Sequence, residues 1–160
     1  MKIRIIAVGR LRERHWQEAA ADYARRIRPY AQLEIEEVAE ARLKDGASQA
    51  EEKKAIKEEG RAILERLKGH EGAVVALDRQ GKSLDSLQMA AWLEKMILEG
   101  RSDVAYVIGG PLGLAPEVLQ RAECRLSFSS MTFPHQMMRV ILLEQIYRGM
   151  RIMRKEPYHR

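Results

Sequence analysis

Two short, almost uniformly apolar runs, Ala73-Val74-Val75-Ala76-Leu77 and Val104-Ala105-Tyr106-Val107-Ile108, limit what this chain can fold into. Gly72 and Asp78 bound the first, and Gly109-Gly110 follows the second. A strand with no polar face must be covered on both sides, which is the condition inside a parallel sheet roofed by helices. The remaining segments fit that frame. Lys2 to Val8 reads as a strand entering a core and stops at Gly9. Trp16, Ala20, Tyr23 and Ile27 then mark one face of a helix that Pro29 ends. Leu33-Glu34-Ile35-Glu36 alternates with period two, with acids on one side, as a strand near a sheet edge does.

After a polar link, Ala41 to Ser48, a charged helix runs to about Lys68 with the apolar line Ile56, Gly60, Ile63 and Leu67. Gly60 within that line either permits a close approach to a neighbour or weakens the helix. Glu51-Glu52 and Glu58-Glu59 are assigned to its solvated face, where pairs such as Lys54–Glu58 form. Asp78-Arg79-Gln80-Gly81-Lys82 reads as a turn. Ser83 or Asp85 then caps a helix carrying Met89, Leu93, Met96 and Ile97, which Gly100 stops. Pro116 opens a short helix through Arg121, Cys124 to Phe128 forms a fifth strand, and a last helix follows Pro134-His135 to about Lys155. The order βαβαβαβαβα predicts an α/β fold with a mostly parallel sheet and helices on both faces. At 160 residues the length predicts one domain, residues 1 to 160.

Charge and cysteine usage narrow the functional classes. The net charge is +5, and residues 148 to 160 hold five basic side chains (Arg148, Arg151, Arg154, Lys155, Arg160) against Glu156, a local +4. Such a cluster suits polyanion binding, or equally a solvated helix end whose cations complement the dipole. The lone Cys124 excludes an internal disulfide and a cysteine metal cluster. The four histidines are scattered, so no metal site is expected. No run is long enough to span a membrane and no export signal precedes Gly9, so a cytoplasmic protein without membrane association is expected. The last helix is apolar around most of its girth, which requires either deep insertion into its own fold or a dimer interface.

Two small-residue loops each follow a strand, where open α/β sheets bind ligands. Gly109-Gly110-Pro111-Leu112-Gly113 has neither dinucleotide-fingerprint nor P-loop spacing, and by spacing alone is equally a tight turn. The second loop is Ser127-Phe128-Ser129-Ser130-Met131-Thr132-Phe133. Its continuation, Thr132-Phe133-Pro134-His135-Gln136-Met137-Met138-Arg139, is followed by Glu144-Gln145-Ile146-Tyr147-Arg148 and the ending Tyr158-His159-Arg160. Together with Ala76-Leu77-Asp78 and Ile108-Gly109-Gly110-Pro111, these residues resemble the ribosomal large-subunit pseudouridine N3-methyltransferases of the SPOUT class. The resemblance runs the length of the chain. One departure is Leu112, where many members carry an acid.

The resemblance implies a C-terminal trefoil knot, an exception to the rule against threaded chains, and S-adenosylmethionine bound in it. It places the cofactor at Leu77, Gly109, and Phe128, Ser129, Ser130, Met131, Thr132 and Phe133. It implies methyl transfer to N3 of a pseudouridine in large-subunit ribosomal RNA within the assembled ribosome. Tyr158 and His159 would handle the proton and Arg160 would stabilise the imide anion. Arg139, Arg148, Arg151 and Arg154 would meet RNA phosphates. A homodimer would set one subunit's tail beside the other's cofactor pocket.

Overall fold

The computed structural model describes residues 1–160. Five strands, β1 (Lys2–Val8), β2 (Gln32–Val38), β3 (Ala73–Ser83), β4 (Asp103–Ile108) and β5 (Cys124–Ser127), form one sheet in the order β2-β1-β4-β3-β5. Every pairing is parallel, so all the loops that follow strands emerge at one edge. The helices are α1 (Arg14–Ile27), α2 (Gln49–Arg66), α3 (Ser86–Leu98), α4 (Pro116–Arg121) and α5 (His135–Met153). No helix is long and apolar enough to cross a membrane.

Alternation within the strands builds two cores. Ile3, Ile5, Val75, Val104 and Tyr106 face α1, α3 and α5, while Ile6, Val8, Val74, Ala105 and Val107 face α2 and α4. The apolar runs of β3 and β4 are buried on both sides, as their composition requires. β2 is an edge strand, as is β5 at the other end, and Glu36 of β2 carries the acid side outward to Arg4 and Arg66. α5 lies between α1 and α3, with Leu142, Leu143, Ile146 and Met150 buried.

Local chemistry fixes the ends of the elements. Asp85, rather than Ser83, caps α3: its carboxylate accepts from the Gln88 N–H while the Gln88 side chain accepts from the Asp85 N–H. Ser48 and Glu51 make the same reciprocal pair at the start of α2. Gly60 permits a close approach, since a Cβ there would lie 2.5 Å from Cβ of Ala115, just before α4.

Two sequence expectations fail. Asp78 to Lys82 is not a turn, because β3 runs on to Ser83. After an irregularity between Leu77 and Lys82 it pairs again with Leu126 and Ser127 of β5. Arg125 on β5 forms an ion pair with Asp78, neutralising its charge within the sheet. Glu59 is not on the solvated face either; it is 5% exposed, against the glycine turn that follows β4.

Candidate active site

The carboxyl ends of β3, β4 and β5 and the first turn of α5 enclose a cleft of about 700 Å³, within the size range of small-molecule sites. Leu77, Leu114, Leu126, Phe128 and Met138 give it apolar walls. The turn from Gly109 to Gly113 supplies backbone on one side, closed by the Gly113 N–H donating to the Gly110 carbonyl at 3.0 Å. Two of these glycines are required sterically. Gly113 has φ +86, and a Cβ on Gly109 would come within 2.9 Å of the Gly113 carbonyl group.

The polar second half of β3 holds the facing loop. The Ser127 hydroxyl lies 3.0 Å from the Arg79 carbonyl and 3.1 Å from that of Ser129, and Arg79 donates to the Thr132 hydroxyl at 2.9 Å. The Met131 N–H donates to the Ser129 hydroxyl at 3.0 Å. Of the eight residues assigned to a cofactor, Leu77, Gly109, Phe128, Ser129, Met131, Thr132 and Phe133 line this one cleft. Ser130 is exposed and does not line it. α5 begins beside it at His135 with no side-chain cap, so unpaired N–H groups of its first turn favour an anionic group there.

Beneath the glycine turn sits Glu59. One carboxylate oxygen accepts from the Ala41 N–H at 3.0 Å, and the other is buried without a partner. The carboxylate lies 3.3 Å from where a Cβ on Gly110 would stand. Burial, with the nearby Glu40 charge, pushes this carboxyl above the ordinary range. The sequence carried a signal for it: Glu59 is three residues after Ile56 and four before Ile63, on the apolar face of α2.

The tail stands apart from the cleft within the chain. Tyr158 packs edge-on against Tyr147 at 4.9 Å, lies under the Arg148 guanidinium at 4.7 Å, and donates to Glu144 at 3.1 Å. Burial and hydrogen bonding with Tyr23 and Glu144 raise its ionisation far above neutrality, so Tyr158 holds its proton. His159 and Arg160 are exposed. His159 Nδ1 comes 3.4 Å from the Arg148 guanidinium.

The assignment of Arg139 to RNA does not survive. Arg139 is 2% exposed, pairs with Glu37 at 2.6 Å and donates to the Gly9 carbonyl at 2.9 Å, so no phosphate can reach it. Two tail arginines have internal partners as well. Arg148 pairs with Glu144 at 2.5 Å, and Arg151 with Glu156 at 2.8 Å and the Tyr147 hydroxyl at 2.7 Å. Arg154 is exposed, stacked over Tyr30 at 4.8 Å.

Residues 1–159 match the sequence profile described as "Predicted SPOUT methyltransferase". The chain belongs to the SPOUT methyltransferase family. A relative at 46% identity over 160 residues, all of both chains, is the ribosomal RNA large subunit methyltransferase H of Carboxydothermus hydrogenoformans. Among solved structures, "a probable methylase family protein" from Haemophilus influenzae Rd KW20 shares the fold, with TM-score 0.55 at 11% identity, covering 99% of this chain and 70% of that one. A Legionella pneumophila protein described as a methyltransferase, solved with S-adenosylmethionine bound, is more remote: TM-score 0.47, 11% identity, 91% of this chain and 65% of that one.

Proposed function

We propose that this chain is an S-adenosylmethionine-dependent methyltransferase that modifies N3 of a pseudouridine in large-subunit ribosomal RNA. The observation that carries the reading is the cleft itself. In a chain of a methyltransferase family, the two loops matched to cofactor binding close over one cavity of about 700 Å³. The full-length relative named as a ribosomal RNA large subunit methyltransferase supports the substrate class.

The residues present fit the cofactor. Leu77, Leu126 and Phe128 offer apolar surface to a purine, and the glycine turn leaves its backbone groups free of side chains. Bound there, S-adenosylmethionine supplies an activated methyl group on a sulfonium. The chain's work is then to align the imide nitrogen, exclude water and accept the N3 proton. Tyr158, which holds its own proton, serves as a strut, since its hydroxyl and ring fix the tail to Glu144 and Tyr147. His159 is the base that takes the N3 proton, and Arg160 stabilises the anion left behind.

Because the tail does not reach the cleft of its own chain, the working unit is a homodimer in which one subunit's tail completes the other's site. The trefoil knot of the family shapes the cofactor loops, the protein acts in the cytoplasm, and the substrate is the assembled ribosome.

The test is transfer of labelled methyl from S-adenosylmethionine to ribosomes lacking the modification, beside free ribosomal RNA. Label on a pseudouridine in ribosomes alone is the expected result. No label in either sample, with folded dimeric protein, would make the chain a non-catalytic ribosome-binding subunit. Turnover unchanged by His159→Ala would remove His159 from the proton step.

A further inference from the structure

The loop from Gly9 to Glu13, between β1 and α1, has its backbone fixed at four points. The Gly9 N–H donates to the Val38 carbonyl at 2.9 Å, and the Gly9 carbonyl accepts from Arg139 at 2.9 Å. The Leu11 carbonyl accepts from the Gln17 amide at 2.7 Å, and the Arg12 N–H donates to the Gln136 side chain at 3.0 Å. One of these ties comes from a buried guanidinium whose charge Glu37 neutralises. Burying a guanidinium carries a desolvation cost that its partners must offset, and here that buried group, paired with an exposed Glu37, is committed to the placement of a surface loop.

Leu11 packs against the core, but the two arginines of this well-held loop are left free. Arg10 and Arg12 are exposed, and neither forms an ion pair or a side-chain hydrogen bond. Arg14, at the head of α1, meets only Glu18 across one helical turn, with its own side chain 90% exposed. The acids beside the loop are Glu13, which is exposed, and Glu40, which lies beneath Gly9. The loop is also close to the cleft: the residues that hold it, Gln136 and Arg139, share the first turns of α5 with His135 and Met138, which line it. The tail presents the opposite picture, with Arg148 and Arg151 already paired.

We propose that Arg10 and Arg12, on the fixed loop beside the mouth of the cleft, contact RNA phosphates and orient the substrate strand. Phosphate contacts from pre-positioned cations set register without reading sequence, and both guanidinium groups reach that role without first breaking an internal pair. This assignment rests on the ribosomal RNA reading above and moves its anchoring surface from the tail to the β1–α1 loop.

The experiment is binding of full-length protein to unmodified ribosomes across a monovalent salt series, for wild type, Arg10→Gln/Arg12→Gln and Arg28→Gln/Arg61→Gln. The third protein loses the same charge at exposed positions away from the cleft. Losing two phosphate contacts should flatten the slope of log K against log salt by about 1.5 to 2, and raise KM for ribosomes with kcat largely retained. S-adenosylmethionine binding, followed by thermal shift, should be unchanged. An unaltered slope in the Arg10/Arg12 variant would overturn the proposal, as would an equal change in the Arg28/Arg61 control, which would mean bulk charge only. If wild type binds ribosomes but transfers no methyl, the enzymatic reading falls and the role of Arg10 and Arg12 is still decided by the slopes. If wild type does not bind ribosomes, both fall.

Discussion

Substituting Gly60 by alanine tests whether the contact between α2 and the start of α4 is as close as it looks. A Cβ at position 60 would stand 2.5 Å from Cβ of Ala115 and 3.6 Å from Cγ2 of Val118. Carbon atoms settle at about 3.5–4.0 Å, so one of the two segments must retreat by roughly 1 Å along that contact. Overpacking of this kind costs about 1–3 kcal/mol. Alanine returns about 1 kcal/mol through its better helix propensity. The expected net loss is therefore about 1 kcal/mol, a fall in Tm of about 2–4 °C for a chain of this size. Urea unfolding should show a lower midpoint at constant m. Ala115 directly follows Leu114, which lines the cleft after the glycine turn, so affinity for S-adenosylmethionine, measured by calorimetry, should fall as well. Gly60→Val should exaggerate both losses. A Gly60→Ala protein with equal or higher Tm and unchanged affinity would refute the reasoning, because the glycine would then be only a weak point in a helix.

Glu59 gives a pH signature. Its folded-state ionisation lies above the ordinary carboxylate value, so between the two values the folded state binds the extra proton and stability falls as pH rises. Glu59→Gln removes that titration and keeps an acceptor for the Ala41 N–H. It should match wild type near pH 4 and exceed it at pH 7 in paired thermal melts; parallel stability profiles would reject a raised carboxyl. Arg139→Met leaves Glu37 and the Gly9 carbonyl without their donor. Glu37 is exposed and regains water, so the expected loss, read from the urea midpoint, comes mainly from the Gly9 carbonyl and is about 1–3 kcal/mol, and a change below about 0.5 kcal/mol would show that the pair contributes little.

Much of this was legible in the residues. Period-two and uniformly apolar runs fixed where strands lie, and caps and breakers such as Asp85, Gly100 and Pro116 fixed where helices begin and stop. The cleft loops were legible too, because strand ends in a parallel sheet are where small residues gather. What the sequence by itself determined was thus the local conformational preference of each segment and the family motif carried by its loops.

Tertiary structure decided the partners. Asp78 to Lys82 looks like a turn until β5 supplies Arg125 and a second stretch of pairing. Glu59 and Arg139 look solvated until the Ala41 N–H meets the first in the interior and Glu37 reaches the second from the surface. The arginines of the last helix look available until Glu144 and Glu156 are found against them. The physical reason is common to all of these. A polar side chain announces its solvation cost in the sequence, but the group that offsets the cost comes from another element, and only the fold brings the two together.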